Sequence, residues 1–225
     1  MRAPVTILLL LAAGVAAQPL PVAPDLKTAG WKEITVPGRR KNVFMLEADA
    51  TVAIQSKRSV SFLYAPVSPA TAARLAWRWR VDRDIAVTDL AAKGKDDRPL
   101  AVHVWFPAPD ARKSGGLGRL IMAGMMGVPE WGRAITYVWG GDAAPGTVIP
   151  NPYMDGREGA LIVLRQAGAP TGEWLSESVD LVADYRRVFG ADPPPPSFVA
   201  LSSDTDDTKQ EADVRISALR FEPPP

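Results

Sequence analysis

The chain has 225 residues, with 26 Lys and Arg against 25 Asp and Glu, a single histidine and no cysteine. So balanced a charge sets up no long-range field for nucleic acid or an anionic membrane surface. The inventory also excludes a disulfide framework, a thiol nucleophile, a lipid-modified cysteine and a multi-histidine zinc centre.

In chain order the first element is a leader. Met1-Arg2 is a short positive start, the run from Val5 to Ala13 is apolar except for Thr6, and Val15-Ala16-Ala17 supplies small residues before Gln18. The expectation is a cleavable signal peptide over residues 1–17 and a periplasmic or secreted product. Its loss removes Arg2 and makes the basic and acidic counts equal. The apolar run falls short of the roughly 20 residues needed to span a bilayer, and no later segment comes closer, so no transmembrane segment is expected after the leader. Residues 18–29 are Pro-rich and read as a tether to one domain over residues 30–222.

From there the pattern is short β-type runs punctuated by Pro, Gly, Asn and Asp. Eleven strands are predicted, over 31–36, 42–47, 51–56, 59–64, 74–81, 99–106, 134–139, 160–165, 173–179, 198–203 and 213–221. The fold class is therefore all-β, an antiparallel sandwich of jelly-roll type with one or two short helices. One helix is expected over 180–190: Leu181, Tyr185 and Val188 share a side, Asp180 caps the start, Arg186 and Arg187 suit the end, and Gly190 stops it. The Met-rich segment 116–128 is the second candidate, read first as an insertion packed over an exposed end of the core, with a mobile lid or a partner-docking surface as the alternatives. The basic run Arg39-Arg40-Lys41 follows Pro37-Gly38 and reads as a solvated hairpin turn.

Strand parity nominates a binding face. In Ala76-Trp77-Arg78-Trp79-Arg80-Val81 the tryptophans and Val81 point one way and the arginines the other. Leu100, Val102, Val104 and Phe106 point inward in the next strand, which sends Ala101, His103 and Trp105 outward. The candidate ligand-binding set is Arg78, Arg80, His103 and Trp105, extended by Tyr137 and Trp139 from a strand whose apolar face is ambiguous. The alternative for the arginines is cross-strand ion pairing.

Two acidic groups carry the metal possibility. Asp96-Asp97 precedes one strand, and Asp204-Thr205-Asp206-Asp207-Thr208 forms the loop between the last two. Closely spaced loop carboxylates are what Ca²⁺ requires, although Asp and Thr also dominate ordinary turns. If the strand entered at Pro99 begins at the same end as that loop, Asp96, Asp97, Asp204, Asp206 and Asp207 crowd together. Either Ca²⁺ or arginines, with Arg78, Arg80 and Arg98 named first, must then neutralise them. No cofactor other than this Ca²⁺ is indicated.

These segments also carry a family likeness. Trp77-Arg78-Trp79-Arg80-Val81, Lys95-Asp96-Asp97, Tyr137-Val138-Trp139, Asn151-Pro152-Tyr153, Trp174 with Glu177, Asp184-Tyr185-Arg186-Arg187 with Phe189-Gly190, and the acidic loop 204–208 stand in a recognisable order. From about Trp31 to Phe221 the chain resembles the bacterial family called domain of unknown function three-zero-four-seven. The resemblance implies architecture and not activity: a sandwich similar to carbohydrate-binding jelly rolls, where a concave sheet face holds the ligand and a loop often holds calcium. It also implies two departures, Ala101 where an arginine usually stands and Lys209 where a glycine often follows the loop.

Three functional readings follow. A non-catalytic binding domain for a saccharide or other cell-envelope ligand leads, on fold-level analogy. A polysaccharide-acting lyase or hydrolase is second, with Glu173, Glu177 and Asp180 among the carboxylates available. A structural or interaction protein of the envelope is third. A serine triad would have to use His103 inside an apolar strand, and the chain has neither a nucleophile elbow nor a phosphate-binding loop, so whether it is an enzyme is left open with the binder preferred.

Overall fold

Side chains that alternate along a strand give a sheet one apolar face, and two such faces bury each other. The computed structural model describes residues 18–19, 25–67, 72–108, 132–154 and 158–223. Its strands are β1 (Gln18–Pro19), β2 (Lys32–Thr35), β3 (Val43–Leu46), β4 (Val52–Lys57), β5 (Val60–Pro66), β6 (Arg74–Arg83), β7 (Arg98–Pro107), β8 (Gly132–Trp139), β9 (Val148–Pro150), β10 (Gly159–Arg165), β11 (Leu175–Asp180), β12 (Phe198–Asp204) and β13 (Glu211–Glu222). One sheet runs β11-β6-β13-β4-β3, with β1 also on β13, and the other runs β2-β5-β12-β7-β8-β10-β9. All eleven expected strands are present. Pairing is antiparallel except between β8 and β10, which run parallel with Leu161 opposite Thr136.

The core lies between the sheets. Trp77, Trp79 and Val81 of β6 face Leu100, Val102, Val104 and Phe106 of β7, as parity requires. Aromatic edges lock the layer: Trp77 and Trp79 centroids lie 5.3 Å apart, Trp79 and Trp139 5.6 Å, and Trp77 and Tyr137 5.7 Å. The helix α1 (Leu181–Phe189) closes one edge, with Leu181 and Tyr185 buried. The Asp180 side chain accepts from Ala183 N at 2.9 Å, and Gly190 ends the helix at φ 69.

Residues 25–30 differ from a free tether. The Asp25 carboxylate accepts from Thr28 N at 2.8 Å, which folds the segment so that Leu26 packs on the core and Ala29 is buried. The Met-rich segment 116–128 and residues 1–17, where a leader is expected, lie outside the described residues.

Candidate functional site

The outer face of the seven-stranded sheet carries apolar and aromatic side chains where a solvated sheet would be polar. Antiparallel register sets Trp105 opposite Phe198, His103 opposite Ala200 and Thr136, and Ser202 opposite Phe62. These residues surround a cavity of about 290 Å³ whose walls include Val60, Phe62, Trp105, Ala134, Leu161 and Phe198. His103 is on its floor. One ring nitrogen of His103 lies 2.9 Å from Thr136 Oγ1, the other 2.8 Å from Ser202 Oγ, and Phe62 packs edge-on at 5.3 Å. Burial, helped by the Arg98 charge, pushes the imidazole down to about 3, so it is neutral at physiological pH.

The acidic residues gather at one end of this cavity. Because β7 and β12 run antiparallel with Arg98 opposite Asp204, the start of one strand meets the end of the other. Asp97 is fully buried and accepts from Thr208 N at 2.7 Å and from Thr208 Oγ1, tying the loop after β12 to the segment before β7. Arg98 Nη1 donates to Asp96 O at 2.9 Å and lies 3.8 Å from Asp204 Oδ2. Arg39 reaches across from the turn after β2, to Asp206 at 2.5 Å and Asp207 at 3.3 Å. Burial, with Asp206 and Asp97 close by, lifts the Asp204 carboxyl well above the usual range despite Arg98. At the rim, Tyr153 is 49% exposed; its hydroxyl donates to Asp96 Oδ1 at 3.0 Å and accepts from Gly94 N at 3.1 Å. Lys93 Nζ stands 5.7 Å from the Tyr153 ring centroid.

Asp97, Asp204 and Asp206 each offer an oxygen within 4.8 Å of the others, a separation a cation can bridge. Both oxygens of Asp97 already accept hydrogen bonds, however, and Asp206 faces Arg39. A cation bridging the three would have to displace Arg39 from Asp206 and the Asp207 and Thr208 donors from Asp97.

The structure divides the expected binding set. His103 and Trp105 are on the cavity, but Arg78 and Arg80 project from the other sheet, since β6 and β7, neighbours in the chain, belong to different layers. Arg78 stacks over Trp174 at 5.3 Å and Arg80 pairs with Asp82 at 2.5 Å, so both serve that sheet's surface and neither neutralises the acidic loop. Tyr137 and Trp139 are core residues, fully buried between the sheets, and the Tyr137 hydroxyl donates to Asp184 Oδ2 at 2.9 Å. It is Thr136, with the opposite parity, that faces the cavity. Trp105 points outward as expected yet is only 7% exposed, since its indole lies against Gly132, where an added Cβ would stand 2.5 Å from Nε1. Arg39, Phe62, Thr136, Tyr153 and Phe198 were missed. In the sequence Arg39 reads as solvated turn charge, and only the Asn151-Pro152-Tyr153 likeness marks any of the others.

Lys209 has φ 60, a left-handed conformation that glycine adopts without strain, which accounts for the glycine that the family resemblance places there.

No curated protein matches the sequence. Solved structures of similar course are distant. The xyloglucanase domain of NopAA, a type three effector from Sinorhizobium fredii, is 7% identical at TM-score 0.49, covering 94% of this chain and 100% of that one. A loop-swap mutant of Necallimastix patriciarum Xyn11A is 13% identical at TM-score 0.39, covering 87% and 96%. The enzymatically active domain of bacteriophage CBA120 tailspike protein 4 is 7% identical at TM-score 0.39; the match spans 87% of this chain and 19% of that one. Likeness at this level carries no argument about ligand or reaction. Sequence is decisive where structure is not: the family described as protein of unknown function (DUF3047) matches residues 29–220, and the chain belongs to that family.

Proposed function

We propose that the chain is an exported, non-catalytic binding domain of the cell envelope whose ligand is a saccharide held in the cavity on the outer face of the seven-stranded sheet. The observation that carries this reading is where buried polar atoms go unsatisfied. Arg98 Nε, Trp105 Nε1 and Asp204 Oδ1 have no hydrogen-bond partner among the described residues, and all three side chains line this cavity. Leaving such groups unpaired costs about 1–3 kcal/mol each, a loss a ligand bearing both donors and acceptors would recover. A sugar ring offers that hydroxyl edge together with an apolar C–H face for the Tyr153 ring and the Phe62 and Phe198 wall.

Titration calorimetry against a panel of oligosaccharides tests it. At least one should bind, and Tyr153→Ala, at a half-exposed ring, should keep the fold and weaken binding about tenfold, or about 1.4 kcal/mol. A panel without a binder, or a variant that binds as wild type does, overturns the proposal. Export is tested separately by the mass of periplasmic protein, which should begin at Gln18.

A polysaccharide-acting enzyme would use the same cavity, and one observation favours it. Burial pushes the Asp204 carboxyl well above its ordinary range while Asp206 beside it faces Arg39, the kind of asymmetry that general acid chemistry exploits. Release of new reducing ends from a bound oligosaccharide would decide for the enzyme; unchanged sugar decides for the binder.

A further inference from the structure

The cavity is long, and its character changes from one end to the other. Asp204 and Phe198 lie at opposite ends of β12, about 20 Å of extended strand apart, and both line it. Charged side chains collect at the Asp204 end, where Tyr153 and Asn151 form the rim and Asn151 Oδ1 accepts from Tyr153 N at 2.9 Å. At mid-length the polar groups are spent on one another, since His103 takes up both the Thr136 and the Ser202 hydroxyls. Beyond His103 the register of β12, β7 and β8 sets Phe198, Trp105 and Ala134 side by side, and Leu161 of β10 stands beside Thr136. Resting on the saccharide reading above, we propose that the ligand is an amphiphile: a saccharide carrying an alkyl or acyl chain, its ring at Tyr153 and the polar end, its chain laid along the apolar end.

The apolar end is built separately from the core between the sheets. Ile34 with Phe62, Tyr64 and Phe198 makes one apolar cluster on the outer face, and Leu161 belongs to another with Val138 and Val163. The cavity runs between them, walled by Phe62 and Phe198 on one side and Leu161 on the other. Apolar surface gathered on a face that the fold could have left polar marks a place where something apolar binds. A second sugar ring there would bring hydroxyls to side chains that are apolar or already paired, at the cost of its own bonds to water. A hydrocarbon chain needs no such partner and gains by leaving water. The polar end makes the opposite demand: Arg98, only 7% exposed, leaves Nε without an acceptor among the described residues, which a sugar hydroxyl supplies.

Titration calorimetry with glucose, hexyl, heptyl and octyl glucoside below their micelle concentrations, and hexanol, tests it. Each added methylene should tighten binding about fourfold, the equivalent of about 0.8 kcal/mol, and hexanol should bind at least tenfold more weakly than hexyl glucoside. The heat-capacity change of binding should grow more negative along the series. Ala200→Leu adds bulk beside His103 at mid-length and should flatten the dependence on chain length. Affinity and heat capacity that ignore chain length in the wild type overturn the inference, and the saccharide reading then stands on any oligosaccharide that binds. A folded Ala200→Leu that keeps the wild-type dependence places the chain elsewhere and overturns it too. Hexanol that matches hexyl glucoside removes the sugar from the ligand and overturns the amphiphile; if no oligosaccharide binds either, the saccharide reading falls with it.

Discussion

His103 stands with both ring nitrogens against hydroxyls, at Thr136 and Ser202, and that arrangement sets how the protein meets acid. Its proton affinity is depressed from 6.5 to about 3 in the fold, chiefly by burial. As pH falls below 6.5 the unfolded chain binds a proton that the folded chain refuses, so stability declines through that window and is complete above it. At about 1.4 kcal/mol per unit, roughly 2–3 kcal/mol should go between pH 6.5 and pH 4.5. His103→Gln keeps a hydrogen-bonding side chain and removes the titration. Urea melts at the two pH values should show the wild type losing that much more than the variant; equal losses would refute the burial of the imidazole. The chain has no second histidine to confuse the assignment.

At the scale of elements, two strand ends are tied together by one side chain. Asp97 precedes β7 and receives the Thr208 amide and hydroxyl and, at 3.4 Å, the Asp207 amide from the loop after β12. Hydrogen bonds to a charged acceptor contribute about 1.5–3 kcal/mol, and their removal strands buried donors. Asp97→Ala should therefore cost about 3 kcal/mol in denaturant melts and accelerate hydrogen exchange at the Thr208 amide. Protection at Thr208 unchanged from wild type would show that Thr205, through Ser56 and Ser59, holds the loop alone. The strands and the helix were legible because period-two alternation and the Asp180 and Gly190 caps are local signals. Parity within β6 and within β7 was legible for the same reason. The ambiguity in β8 was real: Ile135, Tyr137 and Trp139 are all apolar enough to face the core, and so is Val138, which packs on the outer face with Leu161.

At the scale of the whole molecule, local pattern is silent on which sheet a strand joins. Arg78 and His103 share outward parity yet stand on opposite surfaces of the sandwich, while Arg39 and Asp206, 167 positions apart in the chain, meet at 2.5 Å. That distant pairing decides the charge at the acidic end. The condition set by the sequence is met, since β7 begins where β12 ends, and five carboxylates do converge. The counter-charge comes from Arg98, as expected, and from Arg39 in place of Arg78 and Arg80. For Ca²⁺ to enter among Asp97, Asp204 and Asp206 it would have to displace Arg39 from Asp206 and break the Asp97 bonds to Thr208, giving up stabilisation already in place. Excess calcium and excess chelator should thus give superimposable melting curves for the wild type. A rise in Tm with calcium that disappears in Asp206→Asn would show that metal binding outweighs those losses by mass action, and would make calcium the counter-ion of this site.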